Sequence, residues 1–497
     1  MKRVRLGLIF LLLFLFLFNF SVFAKSSINN KTSYQLNFKS KILKIGESFN
    51  LKVISKSQSV NNLKVAFSSS NNRVASVDKN GRVRAIGVGY AEIRAEIKDK
   101  NIRLACIIQV KPNEVEKISL NVRKLNLKVG ETYELSAKVY PNNATNKDLI
   151  WINSNPEIVE VYNGKVFAKK LGHSVVTVYS HDKKAYDKCL ISIIDEEIKN
   201  FPNMPLEEQA EYVIKNYCKD GYYILESVAN KKNDTILNLI KKWKMDELFN
   251  TIKVAVHEEC HDYQNIMNKS QYDWNNRFWI INQTHILNGQ PIVVKFVPDK
   301  LFKTELALNN IPENLKTLRW KTYVSSGSQN ASNVYGIYGL LQEYEAYYHG
   351  DKAVYDTFEY VKKIPFTVEN FSTYYERIGG TAFYEFTYYI LSYLKYAQEN
   401  RPDVYNIIIN DENFRLVFKY VYTNYKSLVE EMKLKRAQEI KDYLIKMGYD
   451  VEFGVFDITI SGNGSWSSIS TGSYNIFNLK KELEKEEYKK FLNEILK

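Results

Sequence analysis

The stretch His257-Glu258-Glu259-Cys260-His261 sets two imidazoles four residues apart, with a carboxylate directly after the first. On an α-helix, residues four apart share a face, so both rings can turn a nitrogen toward one ion about 2 Å away. Glu258 is one step round the helix. From there it reaches a water beside the ion and can take its proton as the water attacks a carbonyl. This is the chemistry of a zinc-dependent peptide hydrolase, and the expected cofactor is Zn2+. The surroundings favour a helix, because Met245 to Met267 holds no Pro or Gly and Ile252, Val256, Cys260, Tyr263 and Met267 form one apolar stripe. His257 and His261 fall to one side of that stripe, which separates the core face from the metal face.

Catalytic zinc takes three protein ligands and a water, so two histidines are incomplete. Asp262-Tyr263-Gln264-Asn265 follows His261 and excludes an H-x-x-G-x-x-H continuation. A carboxylate on another helix is the alternative, and Gly339 to Tyr347 supplies Glu343 and Glu345. Glu343 shares its face with Gly339, Ala346 and Gly350, small residues that let two helices approach closely. Glu345 shares its side with His349 and Lys352, which reads as solvated. Glu343 is therefore the preferred third ligand and Glu345 the second choice. An oxyanion stabiliser is also needed. Tyr335 and Tyr338 lie in the glycine-containing segment before the ligand helix; Tyr338 is the preferred candidate, with His285 and His349 as alternatives.

These two segments resemble the gluzincins, zinc peptidases with H-E-x-x-H on one helix and a Glu on the next, often set in E-x-x-A as Glu343 to Ala346 is here. The resemblance implies His257, His261 and Glu343 as zinc ligands and Glu258 as general base. Thermolysin-like members place an Asp where this chain has Tyr347, so a carboxylate supporting the ligands does not carry over. The resemblance covers the two motif segments alone.

The first half contains a repeat of about 84 residues. Leu43-Lys44-Ile45-Gly46-Glu47 matches Leu127-Lys128-Val129-Gly130-Glu131; Phe67 matches Trp151, Asn80-Gly81 matches Asn163-Gly164, and Cys106 matches Cys189. Both copies alternate apolar and polar residues between turn signals, the pattern of a small antiparallel sandwich. They resemble bacterial immunoglobulin-like group 2 domains, which implies a spacer or a module that contacts wall polymers or carbohydrate. Past Pro202 and Pro205 the alternation gives way to helical periodicity, placing a boundary near residue 200.

The N-terminus, Met1-Lys2-Arg3-Val4-Arg5 followed by the apolar run Leu8 to Phe18 and Val22-Phe23-Ala24, reads as a secretory signal over residues 1–24. No later run is long enough to span a membrane. The net charge of +13 includes Lys2, Arg3 and Arg5, and the remainder is still basic. With no dense Lys/Arg block, the charge points away from nucleic acid and is compatible with anionic wall polymers. Four cysteines do not make a disulfide framework: Cys106 and Cys189 read as buried hydrophobes, whereas Cys218 and Cys260 could pair, although a packed Cys260 is the simpler account.

The expected architecture is multidomain: all-β immunoglobulin-like sandwiches at 33–112 and 115–195, then a mainly α, α+β zincin-like domain at 200–497. Its expected helices are Glu207 to Tyr217, Asp234 to Trp243, Met245 to Met267, Leu340 to Val361, Thr381 to Glu399 and Phe414 to Met447. Short strands are expected at Phe278 to Asn282 and Ile292 to Phe296, and a late hairpin at Val451 to Ser461 with Ser470 to Phe477. The function this predicts is an exported zinc peptidase acting on extracellular protein or peptide. The alternatives are a zinc amidase acting on wall peptides and a surface adhesin whose zincin domain is inactive.

Overall fold

Alternating strands in the first repeat pair as the sequence pattern requires. Ser40–Lys44, Ile102–Lys111, Gly89–Ile97 and Val65–Ser69 form one four-stranded sheet in that order. In the second repeat, Lys124–Leu127, Tyr186–Ile193, Gly172–Ser180 and Leu149–Asn153 form its counterpart. The first pair in each sheet is parallel and the others antiparallel. Gly81 and Gly164 explain why the matched turns need glycine. Both have positive φ, and a Cβ at either would strike the carbonyl of Leu51 or Leu135 and crowd the ring of Phe67 or Trp151. Cys106 and Cys189 are fully buried in their sandwiches.

This computed structural model describes residues 34–55, 60, 63–195, 201–325, 327–453, 457–462, 465–470 and 474–497. The expected signal segment at 1–24 and the boundary at 196–200 lie outside the described residues. The chain divides into two units: residues up to Lys117 with Val139–Lys147, and Ile118–Lys138 with Asp148–Lys497. Most of the second repeat therefore belongs to the same unit as the C-terminal region.

That region is largely helical: α1 (Leu206–Tyr217), α2 (Lys219–Lys232), α3 (Ile236–Lys242), α4 (Leu248–Ile266), α5 (Thr304–Leu308), α6 (Leu318–Tyr323), α7 (Ala331–Val334) and α8 (Gly336–Asp356) come first. They are followed by α9 (Phe358–Val361), α10 (Val368–Ile378), α11 (Thr381–Asn400), α12 (Pro402–Ile409), α13 (Glu412–Glu431), α14 (Ala437–Lys446), α15 (Tyr474–Leu483) and α16 (Glu486–Leu496). A meander of Gln271–Asp273, Phe278–Leu287 and Gln290–Phe296 lies between α4 and α5. Helices α2, α5, α6, α7, α10 and α12 were not expected. The late hairpin is shifted: Asp457–Gly462 pairs with Ser465–Ser470, and the chain from Tyr474 is helix. The expected helix from Phe414 to Met447 is broken into α13 and α14 by a π turn at Met432–Arg436. Among the described residues, no helix is long and apolar enough to cross a membrane.

The second repeat shares a core with the helical region. Val175 belongs to one apolar cluster with Phe201, Phe366 and Met447, and Leu190 packs against it. Beside Val175, His173 is fully buried, pairing Nδ1 with the Tyr443 hydroxyl and Nε2 with the Ile364 carbonyl at 2.8 Å. That carbonyl only accepts, so Nε2 carries the proton and Nδ1 accepts from the phenol. Burial pushes the imidazole down to about 4, against an upward pull from the Ile364 carbonyl. Protonation is thus disfavoured in the folded state: the contribution to stability is complete above the unfolded value of about 6.5 and is lost as pH falls toward 4. Unfolding at pH 7 and pH 4.5 should therefore show wild type losing up to about 3 kcal/mol more than His173→Gln. Identical pH slopes for the two proteins would refute this account of His173.

Candidate metal centre

Helix α4 begins at Glu247, whose carboxylate caps the amides of Phe249 and Asn250 at 2.6 and 2.9 Å and receives Arg377 Nε at 3.2 Å. The apolar stripe lies inward as expected: Ile252, Val256 and Cys260 are fully buried. Opposite α4 runs α8. A Cβ on Gly350 would stand 2.9 Å from the Lys253 carbonyl oxygen and 3.4 Å from the His257 Cβ, so glycine permits the two backbones to meet there. Gly339 has a different role from the one expected. Its missing Cβ makes room for the Ala331 carbonyl of α7.

The close approach brings His257, His261 and Glu343 together. Their Nε2 atoms are 3.2 Å apart, and Glu343 Oε2 stands 3.3 Å from His261 and 3.7 Å from His257. Four tetrahedral ligands at about 2.0–2.2 Å from zinc would be separated by about 3.3–3.6 Å, so this triangle has the size of a zinc face. Glu343 Oε2 is buried and faces both imidazoles, with His261 as its nearer charge partner, so the three donors would fit a cation placed between them. The rest of each ring is anchored. His257 is held by the Ala346 carbonyl, and His261 Nδ1 lies 3.1 Å from Gln264 Oε1.

Electrostatics around the triangle follow burial and proximity. Burial, reinforced by His261, pushes His257 well down. Burial also lowers His261, but the Glu343 carboxylate outweighs it and the net shift is upward. Glu258 is partly buried next to His257; burial raises its carboxyl, Glu343 adds to the rise and His261 opposes it.

Two expectations need correction. Glu345 is not solvated: it is fully buried under strand Phe278–Leu287, where His285 Nδ1 and the Ile286 amide reach its two oxygens at 2.6 and 2.8 Å. Burial raises this carboxyl, yet His285 and His349 together hold it well below the usual carboxylate range. Tyr338 is not beside the triangle. Helix α8 already includes it, and five residues before Glu343 is about 140° round the helix; its phenol donates to Asp411 Oδ2 at 3.0 Å and its ring stacks on Phe296. Tyr335 likewise packs on Phe296. His285 is committed to Glu345, and His349 Nε2 lies 3.9 Å from the same carboxylate. The cysteines lie as the simpler account has them. All four are free, with Cys218 Sγ 3.0 Å from the Ala353 carbonyl and Cys260 packed in the core.

Tyr347, Tyr323 and Arg319 border the triangle instead. Tyr347 meets the His257 ring edge-to-face at 4.4 Å between centroids, and its hydroxyl is 2.9 Å from that of Tyr323. The Arg319 guanidinium lies 4.5 Å from the Tyr347 ring centre, and Nη1 bonds Glu385 at 2.5 Å. Burial raises both phenols, Glu343 adding to the rise at each and Arg319 opposing it. The position of Tyr347, one turn after Glu343, could have marked it from the sequence. Nothing in the spacing pointed to Tyr323 or Arg319, which arrive on α6.

The repeats match the bacterial Ig-like domain (group 2) family at residues 32–108 and 114–189, giving two Ig-like domains in the N-terminal part of the chain. A relative from Clostridium acetobutylicum, an uncharacterized protein, is 33% identical over 142 residues, covering 28% of this chain and 15% of the relative. An uncharacterized protein of Bacillus cereus is 34% identical over 92 residues, 17% of this chain and 70% of its own length. A crystal structure of domains 4 and 5 of the S-layer protein SbsC is similar over 29% of this chain and 82% of that one, with 16% identity and a TM-score of 0.19.

Proposed function

We propose that the helical region is a zinc-dependent peptidase, with His257, His261 and Glu343 holding Zn2+ and Glu258 as general base. The donor triangle carries this reading, with edges of 3.2, 3.3 and 3.7 Å and a buried carboxylate oxygen facing both imidazoles. When bound, Zn2+ polarises the scissile carbonyl and makes a nearby water more acidic. Glu258 adjoins the triangle without being one of its corners, which suits it to take the proton of the attacking water and pass it to the leaving amine. Tyr347, against the His257 ring, and Tyr323, paired with its hydroxyl, would supply hydroxyl donors near the triangle, where the Arg319 cation favours negative charge. These groups take the stabilising role first sought in Tyr338.

Bacterial Ig-like domains fit a secreted or cell-surface protein, so the proposed substrate is extracellular protein or peptide, with wall polymer contact through the repeats. The purified chain, dialysed against zinc and then freed of excess, should retain about one ion per chain. It should cleave unfolded casein and lose that activity to a chelator. Absence of both metal and cleavage would reject the peptidase and leave the adhesin. Cleavage of peptidoglycan stems but not casein would favour the amidase.

A further inference from the structure

We infer that Glu345 is a positioning residue for the metal site: acting through Gln264, it selects the His261 tautomer that offers Nε2 to the ion. The inference rests on the zinc reading above. Gln264 lies one turn beyond His261 on α4 and is fully buried. Its amide nitrogen donates to Glu345 Oε2 at 2.6 Å and to the Gln342 carbonyl at 3.1 Å. Both partners can only accept, so the amide cannot be reversed without setting oxygen against oxygen in a buried place. The oxygen end of Gln264 must then face His261 Nδ1, at 3.1 Å. An oxygen there requires Nδ1 to carry the proton, which leaves the Nε2 lone pair free on the side of His257 and Glu343.

Glu345 is itself immobile. His285 Nδ1 donates to Oε2 at 2.6 Å and the Ile286 amide to Oε1 at 2.8 Å, so the strand Phe278–Leu287 clamps the carboxylate that clamps the amide. His257 is set in the same sense by a backbone acceptor, the Ala346 carbonyl. One ligand is thus oriented by helix backbone and the other by a buried relay, His285–Glu345–Gln264, that reaches across from the meander.

Glu345→Gln tests the relay, because an amide at 345 can donate as well as accept and no longer dictates the orientation of Gln264. Zinc affinity, measured by competition with a chromophoric chelator, should fall about 10–100-fold. In the metal-free chain labelled with nitrogen-15 at histidine, the His261 ring should change from one tautomer to a mixture. Gln264→Leu serves if Glu345→Gln does not fold, since it leaves the Glu345–His285 pair in place; it should produce the same two changes. Unchanged affinity together with an unchanged tautomer would overturn the inference. If wild type binds no zinc, the peptidase reading fails separately, and the tautomer shift in the metal-free protein still decides the role of Glu345.

Discussion

Glu258→Gln is expected to keep its zinc and lose turnover, with kcat/KM falling by roughly two to four orders of magnitude. Glutamine preserves the shape of the side chain but cannot take a proton. The loss should therefore appear in kcat, with little change in KM. Metal content should not move, because the carboxylate is not one of the three converging donors; those are His257, His261 and Glu343. The informative measurement pairs zinc analysis with the initial rate of peptide cleavage on the same preparation. A variant that holds zinc and cleaves at the wild-type rate would remove Glu258 from the mechanism, and one that loses its zinc would make Glu258 a structural support.

Glu343→Gln should have the second large effect, and it separates two quantities that are usually confounded. Zinc affinity should drop by more than the roughly 10–100-fold typical of residues that only support a ligand, because a charged donor itself is lost. Stability of the metal-free chain at neutral pH should change little, since the buried Glu343 carboxylate gains from His261 but costs desolvation. Adding zinc should raise the melting temperature of wild type in proportion to the logarithm of the free metal, and should leave that of the variant nearly flat. A metal-free variant that melts far below metal-free wild type would show that Glu343 is a structural residue and weigh against the metal reading.

Both effects concern residues legible in the sequence, and the reason is geometric. His257, Glu258 and His261 lie within one helical turn and a residue, where 100° per residue determines which side chains share a face. Glu343 was legible for a related reason, since Ala346 and Gly350 on its face signalled a close helix contact and Gly350 does sit against Lys253 and His257. Glu345 shows the limit of that reasoning. A helical wheel states the angle between Glu345 and Glu343 but not what will cover each direction, and here a strand from another part of the chain carries His285 to it. Tyr338 shows the same limit. The glycines before the ligand segment suggested a swinging loop, yet Gly336 and Gly339 are already within α8, and the phenol is tied to Asp411 of a distant segment.

By itself the sequence determined the paired immunoglobulin-like repeats and the helix bearing both histidines and Glu258, and it marked Glu343 as the carboxylate facing them, because each follows from local periodicity or from small residues on one helix face. Tertiary structure alone decided that Tyr347, Tyr323 and Arg319 border the triangle of donors, that Glu345 is joined to His261 through Gln264, and that the second repeat is anchored to the helical region by a buried His173. Each of these depends on segments far apart in the chain meeting in a shared interior, and burial there sets partners, tautomers and charge states that spacing along the chain does not encode.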